Sequence, residues 1–151
     1  MAEDLLHAST LCAIATVSGN SDAHVNTAYF AWTPDLRLIW LSEAAATHSR
    51  NLRRNGSAAV AVYDSAQTWG EPDRGIQLLG AAGEAGGDAE TAYAARFPGY
   101  GRSRLASYRF YELVPRRVKL FDERTLGAAT FVTARVSADG VLVWDRTEIY
   151  R

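Results

Sequence analysis

Hydrophobic and polar positions alternate with period two through much of this chain, and turn residues break the alternation at short intervals. Residues 11–18 (Leu-Cys-Ala-Ile-Ala-Thr-Val-Ser) are apolar and β-branched, and they run into Gly19-Asn-Ser-Asp22, which predicts a strand entering a hairpin. Residues 24–32 (His-Val-Asn-Thr-Ala-Tyr-Phe-Ala-Trp) form the return strand. Thr33-Pro-Asp35 marks the next turn, because proline presets φ and aspartate bonds its own backbone. Residues 36–42 follow as a third strand, with Leu36, Leu38 and Trp40 on one face and Arg37 on the other. Residues 57–63 alternate alanine and valine, and residues 76–84 resume the sheet, with Gly80 marking a bulge or a close backbone approach. Residues 112–122 predict a late strand in which Pro115 sits either on an edge or in the first turn. Residues 129–136 and 141–144, around Asp139-Gly140, predict a final hairpin.

Three stretches carry a helical pattern instead. Residues 2–9 are anchored by Leu5 and Leu6. Residues 44–55 end at Asn55-Gly56 and show only a thin apolar face (Ala45, Ser49, Leu52), which predicts a helix lying on the surface. Residues 88–96 are capped by Asp88 and stack Tyr93 on Phe97. Between strands, residues 64–74 form a polar loop that holds Trp69. The fold class is mainly β (α+β): a six- to eight-stranded antiparallel barrel with two or three short helices, since closure removes otherwise exposed edges.

Composition narrows the function. A chain of 151 residues is one domain. Sixteen basic and 17 acidic residues leave a net charge of −1, which argues against nonspecific nucleic-acid binding. Cys12 is the only cysteine, so neither an intrachain disulfide nor a thiolate metal site can form; within its apolar strand it reads as a small buried hydrophobe. His7, His24 and His48 have no metal-ligand spacing, and no nucleophile elbow is present. The acidic start and the absence of a long apolar run predict a cytoplasmic protein without a membrane segment.

An ordered set of segments then carries a resemblance: "HVNTAYFAW", "LIWLS", "THSRNLRRNGSAAVAVY", "RGIQLLGAAGE" and "ELVPRRVKLFDE". Together they resemble the pyridoxamine 5'-phosphate oxidase-like split barrels, in that family's order and over residues 11–122, and they lean toward its small members. The resemblance implies a homodimer with FMN at the subunit interface and a small-molecule substrate. Carried over by position, it puts Asn26 and Thr27 on a strand lining the flavin, and Ser42 at the end of the next strand. Thr47, His48, Arg50 and Asn51 come to the phosphate, and Gln77 to the pyrimidine edge of the ring. Trp69 covers the flavin or packs across the dimer. No catalytic acid or base is assigned, because in this class the flavin carries the redox chemistry.

The chemistry of those residues suits a phosphate. A helix N-terminus offers free N–H groups, Thr47 a hydroxyl, Arg50 a planar fork, and His48 a donor that is charged below about pH 6.5. Thr47 also reads as a helix N-cap. The vitamin B6 oxidases have an Arg-Lys pair where this chain has Thr47-His48, so the resemblance does not extend to oxidation of pyridoxamine phosphate. Related split barrels bind F420 or haem. F420 would need a basic track, for which Arg50, Arg53 and Arg54 are the candidates, and haem an axial ligand, for which His24 and His48 are. A flavin-binding module without catalysis is the remaining alternative.

Overall fold

The computed structural model describes residues 1–101 and 106–150; Arg151, the last of the C-terminal stretch, lies outside them. Among the described residues, eight antiparallel strands form one sheet: β1 (Leu11–Val17), β2 (Ala23–Trp32), β3 (Leu38–Glu43), β4 (Ser57–Tyr63), β5 (Arg74–Glu84), β6 (Tyr108–Asp122), β7 (Thr130–Val136) and β8 (Leu142–Ile149). Their spatial order is β3-β2-β1-β4-β5-β6-β7-β8, and a further β3–β6 pairing closes the first six into a barrel. Four short helices accompany them among the described residues: α1 (Ala2–His7), α2 (Thr47–Arg54), α3 (Ala89–Arg96) and the single turn α4 (Glu123–Leu126).

Alternation decides what fills the barrel. Ile14, Phe30, Trp40, Val60, Leu78 and Leu113 point inward from six different strands and are almost fully buried. Burying each such aliphatic side chain contributes about 1.5–3 kcal/mol. Leu5 and Leu6 of α1 and Leu52 of α2 enter the same core, so the two helices plug the barrel. A smaller cluster lies outside it, where Ala31 and Ile39 are covered by Ala89 and Tyr93 of α3. Arg96, also on α3, pins these parts together. Its guanidinium donates to the carbonyls of Phe30 (2.8 Å) and Ser9 (2.8 Å) and lies 4.4 Å from the ring centroids of Phe30 and Trp32.

Four local expectations are corrected. Strand β6 is no edge, and Pro115 lies in its middle, not in its first turn: it pairs with β5, β3 and β7. Pro115 is tolerated because the β3 ladder stops at Leu113 and the β7 ladder begins at Arg117, so no neighbour on that side needs the missing N–H. Leu36 has φ 64°, a left-handed turn position, and the strand starts only at Leu38. Asp88 holds the N-cap position of α3 as expected, but its side chain makes no cap bond, because its carboxylate instead pairs with the Arg37 guanidinium, which also holds Asp35 (2.9 Å) and Glu112 (2.8 Å). Helix α2 is N-capped by Ala46, leaving Thr47 as its first helical residue.

Two glycines are required by contact. A Cβ at Gly80 would stand 2.0 Å from the Val114 carbonyl oxygen, at the point where the β5–β6 register shifts, so the expected bulge is present and admits no side chain. Gly140 (φ 78°) turns the β7–β8 hairpin against Asp35, whose Cα would be 2.4 Å from a Cβ there.

Candidate functional site

Helix α2 is amphipathic in an unusual sense, because its buried face is mostly polar. Leu52 fixes the inward direction, and His48, Ser49 and Asn51 share that side and are buried with it. Each finds a partner. The Ser49 hydroxyl donates to the Glu43 carbonyl (2.8 Å), Asn51 Nδ2 donates to Thr16 Oγ1 (3.1 Å), and His48 Nε2 lies 2.7 Å from Ser42 Oγ. Burial, with His24 nearby, holds the His48 pKa below its ordinary value, so its imidazole is neutral at pH 7. The expectation of a surface helix with a thin apolar face is thereby corrected: α2 is seated in the barrel mouth through hydrogen bonds.

Thr47 and Arg50 take the opposite side and face solvent. Arg50 Nη2 donates to Thr47 Oγ1 at 3.2 Å, and Nη1 reaches the Ala45 carbonyl. Arg53 turns back to the Ala44 carbonyl (2.9 Å), and Arg54 lies across Gly19. No side chain caps the first turn of α2. The four residues predicted around a phosphate therefore divide, Thr47 and Arg50 outward, His48 and Asn51 inward.

The strand residues divide in the same way. Asn26 is half-buried on the side of His24, whereas Thr27 is exposed on the other face of β2. Register then gives Thr27 companions that linear spacing does not reveal. Thr27 pairs with Ala13, Ala13 with Ala61, and Ala61 with Gln77, making one row across β2, β1, β4 and β5 on the outer face. Thr27 and Gln77 stand at its ends with two alanines between them. Ala13, Ala61 and Gln77 line a depression of 250 Å³ bordered by Val25 and Leu79, and Thr27 lies outside it. Tyr29 and Tyr63 are exposed beside it. Trp69 is 98% exposed and lines a different depression with Asp73 and Glu123, so the structure does not bring it to the other predicted residues.

One group escaped the sequence reading. Arg116, Arg117 and Arg135 border a cleft of 570 Å³ beside Gly80, floored by small residues of β1 and β4. The only signal for it was Pro115-Arg116-Arg117 near Gly80, and their proximity depends on a strand register that composition does not disclose. Among the described residues no cluster of His, Cys, Asp and Glu is placed to hold a metal ion, and no helix is long and apolar enough to cross a membrane.

No curated protein matches the chain in sequence. Solved structures share its fold at low identity. A haem-binding protein from Mycobacterium smegmatis superposes with a TM-score of 0.69 at 18% identity, covering 90% of this chain, which spans only 57% of that protein. A Clostridium acetobutylicum protein related to general stress protein 26 of B. subtilis, of the pyridoxinephosphate oxidase family, gives 0.65 at 10% identity, over 89% of this chain and 92% of that one. An F420 reductase gives 0.59 at 20% identity, over 77% and 94% of the respective chains. The family model for pyridoxamine 5'-phosphate oxidase matches residues 2–122, the whole closed barrel with its α1 plug. By that match, and with the split barrel now described, the chain belongs to the pyridoxamine 5'-phosphate oxidase family.

Proposed function

We propose that the protein is an FMN-dependent oxidoreductase: the flavin supplies hydride or electron-pair transfer to oxygen or a small-molecule substrate, and the chain supplies binding and orientation. The observation that carries this reading is the uncapped first turn of α2 with Thr47 and Arg50 turned outward beside it. Open amides at a helix N-terminus, a hydroxyl and a guanidinium with donors to spare form a fitting set for a phosphate. Ser42, His48 and Asn51 act behind them as positioning residues, since the His48–Ser42 and Asn51–Thr16 bonds hold α2 in place. The row from Thr27 to Gln77 spans three inter-strand steps, roughly 14 Å, and its alanine floor is flat enough for a fused ring.

The two halves of this site lie on different sides of one barrel. Helix α2 occupies the mouth, and the row faces outward. A second copy is needed to bring one to the other, which supports a homodimer with the cofactor at the interface. The exposed apolar positions Val25, Tyr29, Tyr63 and Leu79 are what such a dimer would cover.

FMN is favoured over haem and F420 by the partners already described. His48 Nε2 is engaged by Ser42, which leaves His24 as the remaining axial candidate, and Arg53 folds back onto a carbonyl, which shortens any basic track. The test is the visible absorbance of the purified protein with FMN, F420 and haem added in turn, followed by turnover with NAD(P)H and an acceptor. FMN is expected to bind, and Arg50→Ala to weaken it about tenfold. A protein that takes up no flavin overturns the reading, and binding without turnover leaves a flavin-binding module.

A further inference from the structure

We propose that the cleft beside the Gly80 bulge is an anion-binding subsite, in which Arg116 and Arg117 grip a phosphate or carboxylate of a small organic ligand. Strand alternation would send two consecutive arginines to opposite faces. Here Leu79 faces Arg117 and Gly80 faces Pro115, so Arg116 is the extra residue of the bulge. Both arginines consequently border the same cleft. The close approach of the two strands at the bulge leaves no room for a side chain at position 80.

Charge at this place is unbalanced. Neither the Arg116 nor the Arg117 side chain has a hydrogen-bond or acidic partner among the described residues. Arg117 stands directly opposite Arg135 across the β6–β7 ladder, and like charges in that position destabilise a sheet. Asp145 answers Arg135 at 3.8 Å, but it is shared with Arg146 at 3.0 Å. The chain as a whole carries a charge of −1, so this concentration is local and does not follow from a basic composition. The opposite wall offers Ala15, Ala23 and Ala59, which leave room, and the hydroxyl-bearing Ser57. A volume of 570 Å³ suits a small molecule, and two adjacent guanidinium forks suit a doubly charged oxyanion.

The test is calorimetric titration of the full chain at low salt with inorganic pyrophosphate and with citrate. One of them is expected to bind saturably, one per chain: preference for pyrophosphate assigns a phosphate-bearing ligand, and preference for citrate a polycarboxylate. Arg116→Ala/Arg117→Ala should weaken that binding about tenfold or more, while Arg124→Ala on α4 leaves it unchanged. Arg116→Gln/Arg117→Gln gives the same readout should the alanine pair impair folding. Three results overturn the proposal: no binding of either anion at millimolar concentration, binding that survives loss of both arginines, or binding lost equally with Arg124→Ala. Flavin uptake judges the reading of α2 and the arginine pair judges this cleft, so the two can fail separately.

Discussion

His48 meets two demands at once: it fills a buried position on α2 and supplies half of the bond to Ser42 that seats the helix. Because burial lowers its pKa below the ordinary value near 6.5, the unfolded chain takes up a proton before the folded one as pH falls. Its contribution is therefore complete above about pH 6.5, declines below that, and levels off beneath the folded pKa. Melting temperature measured between pH 7 and 5 should drop for the native protein and be flatter for His48→Gln; equal slopes would show that another group is responsible. At this scale much was legible but wrongly pooled. Position alone grouped Thr47, His48, Arg50 and Asn51, yet His48 stands four residues before Leu52, and a helical turn puts it on the face of that apolar anchor. The period of two likewise separates Asn26 from Thr27. The pairing of His48 with Ser42 and of Asn51 with Thr16 joins separate elements, so no local pattern contains it.

Among the elements, β6 departs furthest from its local signals. Proline usually excludes a strand from a sheet interior, but here it falls where the strand exchanges one neighbour for another. Strands read from alternation and turn residues were recovered almost throughout, because hairpins are decided by neighbours in sequence. Strand β6 depends on partners far along the chain, so its centrality was not legible. Gly80 was legible as a bulge, and its reason is now steric. Gly80→Ala should destabilise the protein by about 3 kcal/mol or more, measured as a lowered midpoint in urea, because a backbone carbonyl cannot yield to the new methyl. A midpoint close to that of the native protein would mean that the bulge relaxes.

For the whole molecule, the decisive surface is the outward face of β2, β1, β4 and β5, with its alanine row and flanking tyrosines. If two copies meet there, sedimentation should give twice the 16.5 kDa chain mass, and Ala61→Arg should return the protein to a monomer that no longer retains FMN. A native monomer that binds FMN as tightly would remove the dimer from the account. The seam that closes the barrel also imposes an order on synthesis. Arg37, just before β3, meets its partner Glu112 75 residues later, so the ring stays open until the ribosome has released β6. Until then the nascent chain carries an unpaired edge along β3, exposed to any other strand in the vicinity. Loops of this length close slowly, and the last stave acts as a latch: a polypeptide interrupted before residue 108 has every piece of the flavin cleft proposed above and no barrel to hold it.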